Sequence, residues 1–592
     1  MIVRLAGCFA AHRGFIRSVG IACLVAAAAL PNQSRGLTAW TLMINTNNIK
    51  LITDYGANAT NADNTAFIQS AINAAARGGR TNGLVGGAVR IPGGAGNFLS
   101  GPLNLSNNVD LLLDAGAVLQ ALPYGTYPGS PYSGSVAPLI NGTGLTNLAI
   151  TGDGTIDGQG TAWWTAYGTN STIARPLLIN ISGSSRVLVQ DINTTNPPVA
   201  HIVAKSANAG NLSFIGINLS APATGAPNTD GIDFAETNAL FQDCSIATGD
   251  DNIAIGSSAS TSKDILITNC FFGPGHGLSI GSYTSGGVSN VTVINCSFNG
   301  TGIKIKSSRD RGGIVQNLNY LNLTMTNVDS PVQFYAYYEF GLGTLTQLTP
   351  QFVANYCLTN VNPSPYNPPV YRNITVSNLT AALSVNGRNP FLLFGLPDRP
   401  ASNIVFKSMS IAGTSGVNNP QIYNTTNVSF VDCSWALPSG DKMQFWNADV
   451  TFTNSTASTN LPVLDGWSTN GIGNWLDFVN ASANLANPVA IASGALLLDR
   501  STLVVSNSLD LSGSAPITFV VGSNPATLIV KGDLQLGGSN NIAAGQGFAN
   551  GIYTLASCSG ALSGSLPTIG LAPTGYNVSL ATNSAGQLNL VV

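Results

Sequence analysis

Short stretches in which hydrophobic and polar residues alternate recur along most of the chain, and Gly and Asn separate them. Within residues 240–310 the pattern is regular, because Cys244, Cys270 and Cys296 stand 26 residues apart. The alternating hydrophobic positions of three consecutive repeats are Ile253 and Ile255, Leu278 and Ile280, and Ile303 and Ile305. Alternation predicts half-buried strands, and a fixed period above 20 residues is typical of a solenoid. Strands this short bury a core only by stacking coil on coil, so we predict an all-β parallel β-helix.

The pattern divides the chain into three predicted parts. In residues 1–35, three arginines precede the apolar run Ser18–Leu30, which is too short to span a bilayer and predicts a cleaved signal peptide. Residues 36–470 carry the strand and turn units of the β-helix domain. Residues 471–592 are poor in charge and rich in β-branched runs, so they are expected to form a C-terminal β-rich domain of unknown role.

One helix is predicted before the first coils. Asp63 or Asn64 can cap its start, and Gly78 with Gly79 ends it, which places the helix at Thr65–Ala76. We expect it to close the N-terminal mouth of the solenoid, where a sheet edge would otherwise be open. The residues expected on its buried face are Phe67, Ala71, Ile72 and Ala75.

Composition and charge exclude several classes of protein. Only 8% of the 592 residues are charged, whereas 44% are hydrophobic and 66 are Gly. Coiled coils and helical bundles need charged faces, so both are excluded. The net charge of −3 provides no basic field for nucleic acid or an acidic membrane, and we expect a monomer without a membrane span. The regular cysteines are interpreted as a stacked apolar ladder in preference to disulfides or metal ligands.

Stacking of coils predicts one cluster of polar side chains. Equivalent positions in neighbouring coils lie about 4.8 Å apart, the spacing between adjacent strands. Counting back from the alternating strands aligns Asp230, Asp251, His276 and Thr301. Asp250 precedes Asp251, and the next coil adds Lys304 and Lys306. Three carboxylates, one imidazole and two ammonium groups should therefore meet on one face.

Each of these residues has a simpler interpretation when it is taken alone. Asp250 and Asp251 after a Gly are more often a solvated turn, and His276 between two Gly is more often a loop residue. The basic run that includes Arg309 and Arg311 could be a solvated face, although capture of a polyanion is favoured, for Lys304 and Lys306 above all. His201 is expected to be structural. The convergence of the residues favours a functional site over these separate interpretations.

Four motifs in this order resemble the polygalacturonase-type, pectin-degrading glycoside hydrolases of family 28. The motifs are Asn228-Thr-Asp, Gly249-Asp-Asp, Gly275-His-Gly and Ile303-Lys-Ile-Lys. The resemblance covers about residues 50–440. It implies a right-handed, pectin-lyase-like parallel β-helix that hydrolyses α-1,4-galacturonosyl bonds of pectin or polygalacturonate by inversion. It also implies an enzyme that needs no metal or cofactor. The predicted signal peptide indicates secretion, to the extracellular space, the cell surface or the periplasm.

Position by position, the resemblance assigns roles to the cluster. Asp250 would be the general acid, while Asp230 and Asp251 would hold and deprotonate the attacking water. His276 would tune the acid. Lys304 and Lys306 would bind the substrate carboxylate. The tyrosine that contacts substrate in the family is assigned to Tyr338, although Tyr335 and Tyr337 are alternatives for the same position.

One departure from the family pattern concerns substrate binding. The family usually has Arg-Ile-Lys where this chain has Lys304, Ile305 and Lys306. An ammonium group cannot make the planar bidentate pair that a guanidinium makes with a carboxylate, so the affinity for the uronate can differ.

Two rival functions remain open from the residues alone. A lyase on the same solenoid would cleave uronates by β-elimination, which requires a Ca²⁺ site and a base for the C5 proton. A non-catalytic surface adhesin would suit the polar solenoid, but it leaves the Asp and His convergence unexplained.

Overall fold

The computed structural model describes residues 41–129, 131–132, 134, 136–338, 368–385, 390–413, 420–437, 444–460, 474–479, 482–485, 494–499, 502–505, 508–512, 516–523 and 525–592. The predicted signal peptide at residues 1–35 lies outside these residues. None of the helices in the described part of the chain has the length and apolar character needed to cross a bilayer.

The predicted parallel β-helix is present, and its coils contribute strands to three parallel ladders. Strands of the first ladder are Ile49–Leu51, Gly87–Ile91, Val109–Leu113, Thr146–Thr151, Ser185–Gln190, Ile202–Ile215, Ile232–Gln242, Ser262–Thr268, Val288–Ile294, Ile314–Val328, Val370–Leu383, Ala401–Ala412, Gln421–Val431, Gln444–Thr453, Asn474–Val479, Gly494–Asp499, Ile517–Val521, Ser539–Ala544 and Thr568–Ile569. Several of the longer strands bend at a corner and also pair in a neighbouring ladder.

The second and third ladders complete each coil. The second comprises Asn97–Ser100, Val118–Ala121, Thr155–Asp157, Asn193–Thr195, Asn218–Ser220, Ser245–Ala247, Phe271–Phe272, Ser297–Phe298, Ser434–Ala436, Thr456–Asn460, Ser482–Leu485, Thr502–Val505, Thr527–Val530 and Ile552–Cys558. The third, which we call the site ladder, comprises Leu103–Asn104, Ile140–Asn141, Ile179–Asn180, Ile253–Ile255, Leu278–Ile280, Thr301–Lys306, Ser330–Tyr335 and Leu392–Phe394, with the first residues of Ile202–Ile215, Ile232–Gln242 and Gln421–Val431.

Inward-facing side chains of the three ladders form one continuous core. The alternating Ile, Leu, Val and Phe residues predicted from the pattern are almost fully buried. Cys244, Cys270 and Cys296 are buried free thiols stacked at the same corner, so the apolar-ladder interpretation is confirmed for these three residues.

The helix Thr65–Ala76 has the predicted bounds, but one residue of its predicted buried face is wrong. Ile68 is buried with Ala71, Ile72 and Ala75, whereas Phe67 is 38% exposed. The helix contacts the first strands of the solenoid, as expected for a cap. Phe67 instead lies over Gly56, where a Cβ would come within 3.0 Å of the ring.

Two short helical elements were not predicted. A 3-10 turn forms at Ile52–Tyr55, and an α-helix forms at Gly160–Thr169. The second helix buries Trp163 and Trp164, and the Trp164 indole N–H donates to the carbonyl of Pro197 at 3.0 Å. It therefore packs beside the strands that lead to the site ladder.

Parallel pairing continues across the predicted domain boundary at residue 470. Gln444–Thr453 pairs with Asn474–Val479, which pairs in turn with Gly494–Asp499. A small parallel sheet of Leu509–Asp510, Leu534–Leu536 and Leu562–Gly564 completes the later coils. The last strands, Ser579–Asn583 and Gln587–Val591, are antiparallel. The division at residue 470 stays a prediction.

Candidate active site

Four consecutive strands of the site ladder fix the register of the predicted cluster. Ile232 pairs with Ile253, Ile253 with Leu278, and Leu278 with Ile303. The backbone N–H of Gly231 donates to the carbonyl of Asp251 at 2.9 Å, which continues this register toward the start of the strands. Asp230, Asp251 and His276 therefore occupy equivalent positions in three successive coils.

Asp250 and His276 form the exposed part of the cluster. The imidazole Nδ1 of His276 lies 2.9 Å from Asp250 Oδ1. The His276 side chain is 53% exposed, and the Asp250 side chain is 24% exposed. One ligand atom each from Asp250, Asp251 and His276 lies within 4.8 Å of the others, a spacing that could also hold a cation. This part of the cluster is open to a ligand at the surface.

Glycines on both sides make this position of His276 possible. Gly277 has φ of 80°, and a Cβ there would lie 2.1 Å from the carbonyl oxygen of Gly302 in the next coil. The backbone N–H of His276 donates to the carbonyl of Asp250 at 2.8 Å. Only glycine at Gly277 allows the coils to approach this closely, which brings the imidazole to Asp250.

Asp251 is the buried anchor of the cluster. Lys306 Nζ donates to Asp251 Oδ2 at 2.7 Å, and Ser279 Oγ donates to Oδ1 at 2.8 Å. The Lys306 and Asp251 side chains are only 9% and 5% exposed. The orientation of the Asp251 carboxyl group is fixed, because both of its oxygens have donors. Ser279 was not predicted as a site residue.

The environments of Asp230 and Asp250 separate the pKa values of the two carboxyl groups. Burial, followed by the charges of Asp233, Asp250 and Asp251, raises the pKa of Asp230 well above its ordinary value. Burial alone would raise the pKa of Asp250 too, but the hydrogen bond and charge of His276 outweigh it and lower that pKa. In the free protein Asp230 therefore retains a proton more readily than Asp250 does.

The two predicted lysines differ in their environment. Burial lowers the pKa of Lys304 to about 8, and only 3% of this residue is exposed. Burial also opposes the charge on Lys306, but Asp251 reverses the effect and raises the pKa of Lys306. Lys306 Nζ lies 5.4 Å from the centre of the Tyr338 ring.

Of the three competing tyrosines, Tyr338 is the partly exposed one. Tyr335 and Tyr337 are almost fully buried. Thr301, which shares the register of His276, donates its hydroxyl to Asp329 Oδ1 at 3.0 Å.

Two further residues hold the segment that leads to Asp230. Arg175 donates to the carbonyl of Pro227 at 2.7 Å and to Asn228 Oδ1 at 2.8 Å. The backbone N–H of His201 donates to the carbonyl of Asp230 at 2.9 Å, and the His201 ring is fully buried. His201 thus has the structural position that was expected. Arg175 was not among the predicted site residues.

Comparison with known proteins assigns a family. The model of glycosyl hydrolases family 28 matches residues 88–433. An endo-polygalacturonase of Pectobacterium parmentieri is 35% identical over 303 residues, which cover 46% of this chain and 72% of the relative. A polygalacturonase of Ralstonia nicotianae is 32% identical over 323 residues, which cover 44% and 60%.

Solved structures agree on the fold. The polygalacturonase of Erwinia carotovora is 27% identical with a TM-score of 0.50, and the match covers 70% of this chain and 99% of that one. An exopolygalacturonase of Thermotoga maritima has a TM-score of 0.53 at 20% identity, with 68% and 94% covered, which supports the fold alone. The right-handed parallel β-helix is confirmed. The chain belongs to glycosyl hydrolases family 28 and is a glycosidase that hydrolyses O-glycosyl bonds.

Proposed function

We propose that the chain is a secreted polygalacturonase that hydrolyses the α-1,4-galacturonosyl bonds of cell-wall pectin and polygalacturonate with inversion at the anomeric carbon. The observation that carries the proposal is the cluster of Asp230, Asp250, Asp251 and His276 beside two lysines. The names of the relatives support the same substrate. The reaction uses side chains alone, without a metal or cofactor.

Asp250 is proposed as the general acid. Asp250 and Asp251 are adjacent, and the carboxyl group of Asp250 is the more exposed of the two. It can therefore reach a glycosidic oxygen of a bound polysaccharide. Its low pKa in the free protein does not suit an acid, but a bound polyanion adds negative charge and excludes water. Both effects raise the pKa of a carboxyl group, so Asp250 becomes protonated when substrate binds. His276 sets the strength of the acid through its hydrogen bond.

Asp251 and Asp230 are proposed to hold the attacking water. The hydrogen bonds from Lys306 and Ser279 hold the Asp251 carboxyl group in place, and Asp251 is the base that accepts the proton that the water loses. Asp230 retains a proton readily and can position the same water by a hydrogen bond. An inverting reaction needs this separation between a protonated acid and an ionised base.

Lys304, Lys306 and Tyr338 are proposed to bind the galacturonosyl unit. The two ammonium groups attract the carboxylate of the sugar in a protein that is acidic overall. Tyr338, next to Lys306, offers an aromatic face to the ring.

The reaction is tested by incubating the purified protein with polygalacturonate and a chelator. We expect new reducing ends without ultraviolet absorbance from unsaturated products. Proton NMR of the first products should show the β-anomer, because inversion converts an α-linkage. Absorbance would indicate β-elimination, and an initial α-anomer would indicate retention; either result would contradict the proposal.

The acid is tested with two substrates that differ in their leaving group. Asp250→Asn should reduce kcat on polygalacturonate by about 100-fold or more, but much less on an oligogalacturonide with a dinitrophenyl leaving group that needs no proton. Asp251→Asn should impair both substrates alike. Asp243→Asn, an exposed carboxylate beside Cys244, is the matched control. If Asp230→Asn rather than Asp250→Asn showed the leaving-group dependence, Asp230 would be the acid.

A further inference from the structure

We propose that Arg311 is a specificity-determining residue that binds a carboxylate of the substrate and supplies the bidentate guanidinium that Lys304 cannot. This inference rests on the proposed function, since it concerns recognition of a galacturonosyl unit. Arg311, Tyr283 and Tyr338 form what we call the arginine platform.

Two tyrosine rings frame the Arg311 guanidinium. Its central carbon lies 4.5 Å from the centre of the Tyr283 ring and 5.6 Å from that of Tyr338. Nη1 donates to Ser282 Oγ at 2.9 Å, which fixes the plane of the group further. A guanidinium held in this way has lost most of its conformational freedom before a ligand arrives, so binding costs less entropy.

Arg311 keeps donors for a ligand. Its side chain is 31% exposed, and Nε is 4.0 Å from Asp310 Oδ2, beyond hydrogen-bond distance, while Asp310 itself is 65% exposed. A guanidinium has five N–H donors, and the hydrogen bond to Ser282 uses one. The remaining donors can form the paired hydrogen bonds that a carboxylate accepts.

The lysines of the site are less suited to this task. Lys306 donates to Asp251, and both Lys304 and Lys306 are more than nine-tenths buried. Yet Lys306 contacts the same Tyr338 ring that borders Arg311. One ring therefore connects the catalytic cluster to the arginine platform, so a chain bound at the cluster can extend to Arg311.

Space for a sugar adjoins the platform. Ser282 and Tyr283 line a cavity of about 370 Å³, whose wall also carries the ion pair of Lys205 and Asp233. Tyr283 is 54% exposed although it is a large aromatic residue. An open aromatic face next to a cation suits a sugar ring that carries a carboxylate.

The test compares a free carboxylate with its methyl ester. In an Asp250→Asn background, which prevents turnover, binding of trigalacturonate and of its methyl ester is measured by calorimetry for Arg311→Gln and Arg311→Lys. We expect Arg311→Gln to weaken trigalacturonate binding about tenfold or more and ester binding by less than about twofold. Arg311→Lys should restore only part of the loss, because an ammonium is not bidentate.

Lys263→Gln is the matched control, because it removes one exposed positive charge from the same part of the solenoid. It should leave both affinities within about twofold. Equal weakening of both ligands by Arg311→Gln would indicate a structural role, and an unchanged affinity or full rescue by Arg311→Lys would also overturn the inference. Tyr283→Ala, which removes one of the two rings that frame the guanidinium, should weaken binding of both ligands.

Failure of the proposed function would look different. The protein without substitutions would then release no reducing ends from polygalacturonate, and the Asp250→Asn protein would not bind trigalacturonate. If hydrolysis occurs but Arg311→Gln binds both ligands as before, only the role of Arg311 is wrong.

Discussion

Lys304 is a buried cation whose charge depends on pH near neutrality. Its pKa is lowered to about 8, mainly by burial, so the ammonium loses its proton as the pH rises through this value. We predict that affinity for polygalacturonate falls between about pH 7 and 9, measured by calorimetry with the Asp250→Asn variant. Lys304→Gln should bind more weakly at pH 7 and lose this part of the pH dependence. An unchanged pH profile in that variant would exclude Lys304 as the titrating group.

Asp110 is a buried carboxyl group far from the active site in sequence. Burial raises its pKa from 3.8 to about 6, although the Thr151 hydroxyl donates to it. Because the folded state binds this proton more tightly, stability from this group is present below pH 3.8 and is lost as the pH rises through 6. We predict that Asp110→Asn stabilises the protein by about 2 kcal/mol at pH 7 and has little effect at pH 4.

Thermal denaturation at the two pH values measures this difference. Asp54→Asn, on an exposed side chain, changes the net charge equally and is the control. Stabilisation of the same size at both pH values would contradict the titration of Asp110.

At the scale of elements, asparagine ladders fix the turns between strands. Asn295 has φ of 56°; its amide donates to Asn269 Oδ1 at 3.4 Å, and its own Oδ1 accepts from Asn322 at 3.0 Å. We predict that Asn295→Ala costs about 2 kcal/mol, because it removes two hydrogen bonds and strains a left-handed residue.

Asn295→Gly separates the two contributions. Glycine adopts the left-handed conformation without strain, so this variant should lose only the hydrogen bonds, about 1 kcal/mol. Chemical denaturation of the two variants measures the difference. Equal destabilisation would mean that the ladder, and not the backbone conformation, determines the cost.

Periodicity explains why the elements could be predicted well and some site contacts could not. Strand register follows from spacing along the chain, so the sequence alone aligns Asp230, Asp251 and His276. Contacts that depend on side-chain direction do not follow from spacing. Lys306 and Asp251, which form an ion pair, are 55 residues apart in the chain. Ser279 lies between two hydrophobic residues of a strand whose sequence resembles those of the neighbouring strands, so the sequence does not mark it as a partner of Asp251.

The helix illustrates the same limit. Its bounds follow from capping residues and glycines, whereas the exchange of Phe67 for Ile68 on the buried face depends on how the helix is rotated against the first coils. A rotation by one residue leaves the hydrophobic pattern almost unchanged, so the sequence favours neither residue strongly.

At the scale of the whole molecule, the final antiparallel strands cover an edge of the second ladder. Ile552–Cys558 pairs with Thr527–Val530 on one side and with Gln587–Val591 on the other. We predict that a chain ending at residue 550 keeps its hydrolytic activity but self-associates, because the edge of Thr527–Val530 becomes open. Light scattering over a range of concentrations measures this, with the full chain as control. A truncated chain that stays monomeric would contradict the prediction.

Contacts between neighbouring coils also determine the order in which secondary structure and activity are lost on heating. Among the strands that the structure describes, each coil pairs with the coil before and the coil after it, so a solenoid frays from its ends. The coils that carry Asp230, Asp251, His276 and Lys306 have several paired coils on either side. Heating therefore melts the outer coils first, and the capacity to cleave a glycan should outlast much of the secondary structure around it.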